Sequence, residues 1–331
     1  MSETKSAYRQ IMKATSIFGG VQVFNILISI IRSKVVALFL GPAGMGIVGL
    51  LNSTIGLMSS LTNCGLSTSA VKSISKVDFT TTDAEEKLAL EVSILKRLVW
   101  YTGIFGTLLT FVLSSWLSQL TFGNSNYTFA FIWIAITILF KQLTEGKLAI
   151  LQGLRKLKLQ AKANMYGSFF GLLFTIPLYY YLGIESIVPA IIIASLITLV
   201  SSLYFSSRIK IKDIKLTNSQ ILTDGKAMIK LGISLSFIGM LTVLTGYIRQ
   251  IVITHKRGIV EVGLFSAGFA LINTYVGLIF SAISTDYFPR LVAIIDDKNK
   301  IRTTVVQQAI IAVLVITPII ILFLTFAPLI I

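Results

Sequence analysis

Residues 164–206 read NMYGSFFGLLFTIPLYYYLG, then IES, then IVPAIIIASLITLVSSLYFS, with Glu185 as the one charged side chain in the stretch. An α-helix needs ~20 apolar residues to cross the ~30 Å hydrocarbon core of a bilayer. The stretch therefore predicts two membrane spans, 164–183 and 187–206, joined by a turn too short to hold anything else. Outward from this pair the same signature recurs. We read nine spans: 14–39, 45–69, 98–118, 129–150, 164–183, 187–206, 229–252, 262–285 and 304–326. A chain of 331 residues that is 54% hydrophobic and 13% charged cannot hide its apolar surface in a soluble core. Only helices or closed barrels satisfy their backbone in lipid, and runs of this length are helical. The expected fold class is an all-α polytopic membrane protein. The longest connection, around Val71–Arg97, leaves no room for a soluble domain.

The formal charge of +15 is compatible with nucleic-acid binding, but its placement argues otherwise. With the N-terminus placed in the cytoplasm, 22 Lys and Arg residues fall in inner segments and only two, Lys256 and Arg257, in outer loops; five more lie within spans. This is the positive-inside bias that orients membrane proteins, so a multi-pass protein with a cytoplasmic N-terminus and no nucleic-acid partner is expected. Trp100 and Trp116 at opposite ends of the third span, and Tyr179, Tyr180 and Tyr181 at the outer end of the fifth, fit interfacial belts. One cysteine, Cys64, and one histidine, His255, exclude an internal disulfide and a Cys/His metal cluster. No cofactor or metal site is expected, and His255 is expected to be solvated in an outer loop. The basic, then apolar, N-terminus lacks a small-residue cleavage pattern and reads as a first helix that is retained.

Two helix pairs share a pattern. Arg32, Val35, Gly41 and Gly46 each have a counterpart 217 residues later, in Arg249, Val252, Gly258 and Gly263. Both copies run outward, so the halves read as parallel six-helix repeats about an axis along the membrane normal. The domains expected are an N-lobe of six spans, 1–226, and a partial C-lobe of three, 227–331. The pattern also leads to the expectation that about three further helices belong to the whole protein.

Several short segments carry a resemblance. Leu40-Gly41-Pro42-Ala43-Gly44-Met45-Gly46, Gln152-Gly153-Leu154-Arg155, Val262-Gly263-Leu264-Phe265 and Tyr287-Phe288-Pro289-Arg290-Leu291 resemble turns of the O-antigen flippases, the Wzx-type polysaccharide translocases. The resemblance runs over the whole chain. It implies the two-lobe bundle of the multidrug/oligosaccharidyl-lipid/polysaccharide (MOP) exporters, which includes the MATE transporters. It further implies flipping of undecaprenyl-pyrophosphate-linked oligosaccharide, an O-antigen or related repeat unit, from the cytoplasmic to the periplasmic leaflet of the bacterial inner membrane by alternating access. The partners expected are the lipid-linked oligosaccharide, membrane lipids, a proton or other coupling ion, and the polysaccharide polymerase machinery.

Ionisable groups at bilayer depth need a cavity or a partner. Lys141 lies roughly 18 Å into the fourth span at ~1.5 Å per residue, and Glu145 follows one helical turn later, at pairing distance. Lys147 is nearer the inner face. Arg32 and Arg249 stand high enough in their spans to snorkel outward. Gln22, Asn25, Ser29 and Arg32 share one face of the first span. Asn52, Gly56, Ser59 and Asn63 share one face of the second, and Asn273, Gly277 and Ser284 one face of the eighth. Small and polar stripes of this kind serve packing as well as cavities. The cavity candidates are Lys141, Glu145, Arg32, Arg249, Lys147, Gln22, Asn25 and Asn52, with no catalytic residue. Pro177 and Pro318 lie mid-span, where they kink or pack.

Within the spans the cations Arg32, Lys34, Lys141, Lys147 and Arg249 stand against Glu145. That sign suits an anionic substrate. A multidrug exporter of the same fold is the alternative, and cationic drugs would favour the opposite excess; a lipid II-type flippase is another. An enzyme such as a polymerase needs large outer loops and facing carboxylates, neither of which is visible.

Overall fold

The computed structural model describes residues 2–77, 83–209, 211, 214, 218–270 and 298–330. Packing divides the chain into two units, Met1–Gly263 and Leu264–Ile331. The first carries α1 (Ser2–Asn63), α2 (Leu66–Ser75), α3 (Ala84–Val112), α4 (Ser114–Phe122), α5 (Thr128–Gly153), α6 (Leu157–Leu182), a 3-10 turn (Gly183–Ser186), α7 (Ile187–Ser206) and α8 (Asn218–Arg257). Helix α9 (Ile259–Ala270) begins in it. The second unit holds α10 (Lys298–Ile330), which includes the ninth expected span and Pro318. Much of the eighth span, with Asn273, Gly277 and Ser284, lies outside the described residues.

Among the described residues five helical segments are long and apolar enough to cross a membrane: Leu27–Asn63, Ala84–Val112, Thr128–Gly153, Leu157–Ser206 and Gly225–Arg257. Two of them carry two expected spans each. Leu157–Ser206 contains α6 and α7, turned by the Gly183–Ser186 segment. Leu27–Asn63 is broken at Gly41, whose backbone (φ 66°, ψ −173°) leaves the helix; Pro42 then opens the second arm. Proline suits that first position because its missing N–H would have no helical partner there.

Some expected spans differ in their ends. The second stops at Asn63, where Cys64 and Gly65 both take positive φ (50° and 68°), and α2 starts afresh at Leu66. The third breaks at Leu113 into α3 and α4. The Val71–Arg97 connection is largely helix, because α2 and α3 extend into it. Pro177 sits inside a continuous α6.

Two buried clusters hold the first unit together. One joins Leu50 and Leu51 of α1, Leu117 of α4, Phe131, Ile134 and Ile138 of α5, and Ile187 and Ala190 of α7. The other joins Leu66 and Ile74 of α2, Val92 and Leu95 of α3, and Ile150 of α5. Helix α5 is the common member and packs on α1, α2, α3, α4, α6 and α7. The outward faces carry large apolar side chains such as Phe105, Val112, Phe129, Trp133 and Ile238. In water such a surface would aggregate; in lipid it is the solvated face. Trp100, Trp116, Tyr180 and Tyr181 are exposed as interfacial residues should be, whereas Tyr179 turns inward at 5% exposure.

The 217-residue repeat has a geometric counterpart. Gly41 and Gly258 both have positive φ, 66° and 93°, a region costly for residues with a Cβ. A side chain at Gly46 would run into the Ile259 carbonyl oxygen, and one at Gly263 into the Pro42 carbonyl oxygen. Pro42 and Ile259 are themselves 217 residues apart. The contact is therefore reciprocal: each glycine receives the residue that follows the other copy's turn glycine. Elsewhere, between α4 and α8, the Tyr247 and Thr121 hydroxyls share a buried hydrogen bond of 2.6 Å. His255, expected to be solvated in an outer loop, is exposed but sits in the last turn of α8, with its Nε2 2.9 Å from the Leu120 carbonyl oxygen.

Candidate functional site

The polar stripe of the second arm of α1 meets α5 across a cavity of about 260 Å³. Gly56, Ser59, Ser60 and Asn63 form one wall, Gly65 and Ser67 lead into α2, Lys141 and Glu145 come from α5, and Ser236 and Val243 from α8. Helix α8 closes on this site because Gly232 and Gly65 lack side chains: a Cβ at Gly232 would lie 2.5 Å from the Cys64 carbonyl oxygen. Ser236 Oγ also donates to Thr68 Oγ1 at 3.3 Å.

Behind the cavity's Asn63 and Glu145 runs a hydrogen-bonded network. Asn63 Nδ2 donates to Gln142 Oε1 at 2.6 Å and to Glu145 Oε2 at 2.8 Å. Gln142 Nε2 in turn donates to the Ser59 carbonyl at 3.1 Å and to Thr62 Oγ1 at 3.2 Å. Thr62 Oγ1 completes the chain by donating to the Met58 carbonyl at 2.8 Å. Gln142 is fully buried, at 0% exposure. Helix α3 can approach this network because it presents glycine there: a Cβ at Gly106 would be 2.7 Å from Thr62 Oγ1, and one at Gly103 would be 3.3 Å from Gln142 Cβ.

Glu145 is thus held across helices by Asn63. It lines the cavity together with Lys141, which stands one helical turn earlier on α5. The cavity offers one ammonium, one carboxylate and a ring of hydroxyl and amide groups. It can bind an anion at Lys141 and accept or donate hydrogen bonds to neighbouring hydroxyls.

The other candidates are distributed differently. Asn52 continues the α1 stripe one turn beyond Gly56, exposed, with its Nδ2 donating to the Val48 carbonyl at 2.9 Å. Asn25 is half-buried, and its Oδ1 is buried with no hydrogen-bond partner. Arg32 is exposed, with its guanidinium beside Gly171 of α6. Arg249 is exposed on α8. Lys147 lines a separate cavity between α3, α5 and α7. The side chain of Gln22 lies outside the described residues. Gln142, the centre of the network, is absent from the candidates drawn from sequence; its adjacency to Lys141 in an apolar helix was the available signal.

Removing the network's centre is expected to cost stability before it costs anything else. Gln142→Leu leaves the Asn63 amide with one acceptor fewer, and a buried polar group without its partner costs about 1–3 kcal/mol. Thermal unfolding of the purified protein in nanodiscs should show a clear drop for Gln142→Leu; an unchanged midpoint would contradict the network's structural weight.

The fold resembles that of a solved membrane transporter. The chain is similar to a solved structure described as "Inward-facing conformation of a multidrug resistance MATE family transporter of the MOP superfamily", with a TM-score of 0.67 and 15% identity over 93% of this chain and 71% of that one. The family described as "Polysaccharide biosynthesis protein" matches residues 35–331, and the chain belongs to that family. No curated protein matches the chain. Family and fold together define a multi-pass membrane protein of a polysaccharide-biosynthesis family, with the fold seen in that transporter.

Proposed function

We propose that this transporter flips an undecaprenyl-pyrophosphate-linked oligosaccharide from the cytoplasmic to the periplasmic leaflet of the bacterial inner membrane by alternating access. The lobes in this reading are 1–226 and 227–331. The observation that carries it is the cavity holding Lys141 among Ser59, Ser60, Asn63 and Ser67. An ammonium suits the pyrophosphate, and the hydroxyl and amide groups suit the first sugar. At about 260 Å³ the cavity is smaller than the ~300–1,000 Å³ of a drug-sized site, so it takes a headgroup and leaves the rest of the glycan and the lipid tail outside. Outward movement of an anion is favoured in a cell that is negative inside, by ~2.3 kcal/mol per charge per 100 mV. Glu145, in the same cavity, is the group we assign to exchanging a coupling proton.

The second reading, a multidrug exporter, draws on Glu145 as a carboxylate for a cationic drug and on the likeness in fold to a multidrug resistance transporter. Expression in a flippase-null strain separates the two. Restored surface polysaccharide with unchanged drug susceptibility supports the flippase; the reverse pattern overturns it.

The orientation has its own test. Ser125 and Lys158 lie beyond opposite ends of α5, and both are exposed. With Cys64→Ser as background, Ser125→Cys should react with an impermeant thiol reagent in intact cells whose outer membrane is permeabilised, and Lys158→Cys should not. Equal labelling, or labelling at 158 alone, would overturn this orientation.

A further inference from the structure

A second cavity, about 450 Å³, opens at the end of the first unit that carries the α5–α6 turn. It is lined by Lys96 of α3, Lys147 of α5, and Val200, Leu203, Tyr204 and Ser207 at the end of α7. Its two lysines are half-buried. Arg208 stands at the rim, its Nη2 donating to the Tyr204 hydroxyl at 2.7 Å and its guanidinium carbon 4.9 Å from the centre of the Tyr204 ring. Val200, Leu203 and Tyr204 are exposed, at 55%, 42% and 57%. The chamber therefore presents two lysine side chains and is bordered by apolar side chains of a membrane helix. Glu91, the acidic residue nearest to Lys96 along α3, does not line the cavity but also interacts within the chain. Both lysines also interact within the chain, so a ligand shares them.

We propose that this cavity holds the phosphodiester headgroup of an anionic phospholipid, with the acyl chains lying along Val200, Leu203 and Tyr204 of α7. Basic pockets between transmembrane helices at the headgroup level suit this chemistry. Lysine stems lie along apolar surface while the ammonium reaches toward the interface. A free phosphate would meet the same ammonium groups but would leave the exposed α7 side chains unused. The site is separate from the Lys141 cavity, since the two share no lining residue. Its leaflet rests on the orientation proposed above; the binding does not.

Native mass spectrometry of the purified full chain, released from nanodiscs of phosphatidylcholine doped with phosphatidylglycerol, reads this out. Wild type should retain one phosphatidylglycerol in preference to phosphatidylcholine. Lys96→Gln with Lys147→Gln should weaken retention about 25-fold, the equivalent of ~1 kcal/mol per lysine at ~1.4 kcal/mol per decade. Lys96→Arg with Lys147→Arg keeps the charge and should retain the lipid, which controls for folding. Lys141→Ala should retain it as well, so this binding can fail or succeed independently of the flippase reading. Equal retention by the double glutamine variant overturns the proposal. So does loss of the lipid in Lys141→Ala, or displacement of the lipid by inorganic phosphate alone.

Discussion

Lys141→Ala should abolish surface polysaccharide while leaving the protein inserted and abundant. The ammonium stands deep in α5, too far from either interface to reach it easily, and it opens into a cavity of serine and asparagine side chains. If it meets the pyrophosphate, its loss removes a charge-assisted hydrogen bond of about 1.5–3 kcal/mol, roughly a 10- to 150-fold fall in rate at ~1.4 kcal/mol per decade. Lys141→Arg should keep part of the activity, because the charge survives and the geometry changes. A structural role predicts another pattern. Were Lys141 there to neutralise Glu145, Lys141→Ala would strand the carboxylate and Lys141→Ala with Glu145→Ala would recover function. Glu145 already takes a 2.8 Å hydrogen bond from Asn63, so the double variant is expected to stay inactive. Complementation of a flippase-null strain by that double variant would reject the substrate contact. Immunoblotting of surface polysaccharide, alongside the amount of membrane-inserted protein, makes the distinction.

The second large effect belongs to the reciprocal glycines. Gly263→Ala sets a methyl group against the Pro42 carbonyl oxygen and 3.0 Å from the Gly46 nitrogen. Both neighbours are backbone, which cannot swing aside as a side chain can. Overpacking of this kind costs about 1–3 kcal/mol, and Gly46→Ala should cost a similar amount against Ile259. Each is expected to lower the unfolding midpoint and cut export sharply. The combination should cost less than the sum, since either change alone already forces the same two segments apart. Gly239→Ala is the control: nothing lies within 4 Å of a Cβ there, and alanine is the better helix former. Full additivity of the Gly46 and Gly263 changes would show that they strain separate contacts.

The helices were legible in sequence because crossing lipid imposes a long, local, apolar signal. Their interruptions were less so: the expected spans 45–69 and 98–118 run straight through the breaks at Cys64–Gly65 and Leu113, which positive φ and a non-helical residue set locally. Depth along a helix picked out Lys141 and Glu145, and their four-residue spacing kept them on one face. Lys147 is six residues from Lys141, about 120° further around at ~3.6 residues per turn, which turns it toward α3 and α7 instead. Depth alone does not report that rotation for Arg32 or Arg249 either. Gln142 escaped notice for a different reason. Its partners Ser59, Thr62 and Asn63 are some eighty positions away, and only the packing of three helices makes an amide at that point necessary.

The reciprocal contact between Gly46 and Ile259, and between Gly263 and Pro42, has the form of an isologous interface folded into one chain. Two identical half-length chains meeting across a two-fold axis make such a contact automatically, because any contact of residue i with residue j is matched by one of j with i. In an ancestor of that kind, one mutation at the glycine would have struck the interface twice and been removed with doubled force. In a single chain each glycine meets its own carbonyl oxygen, so one change strikes only one half of the reciprocal contact.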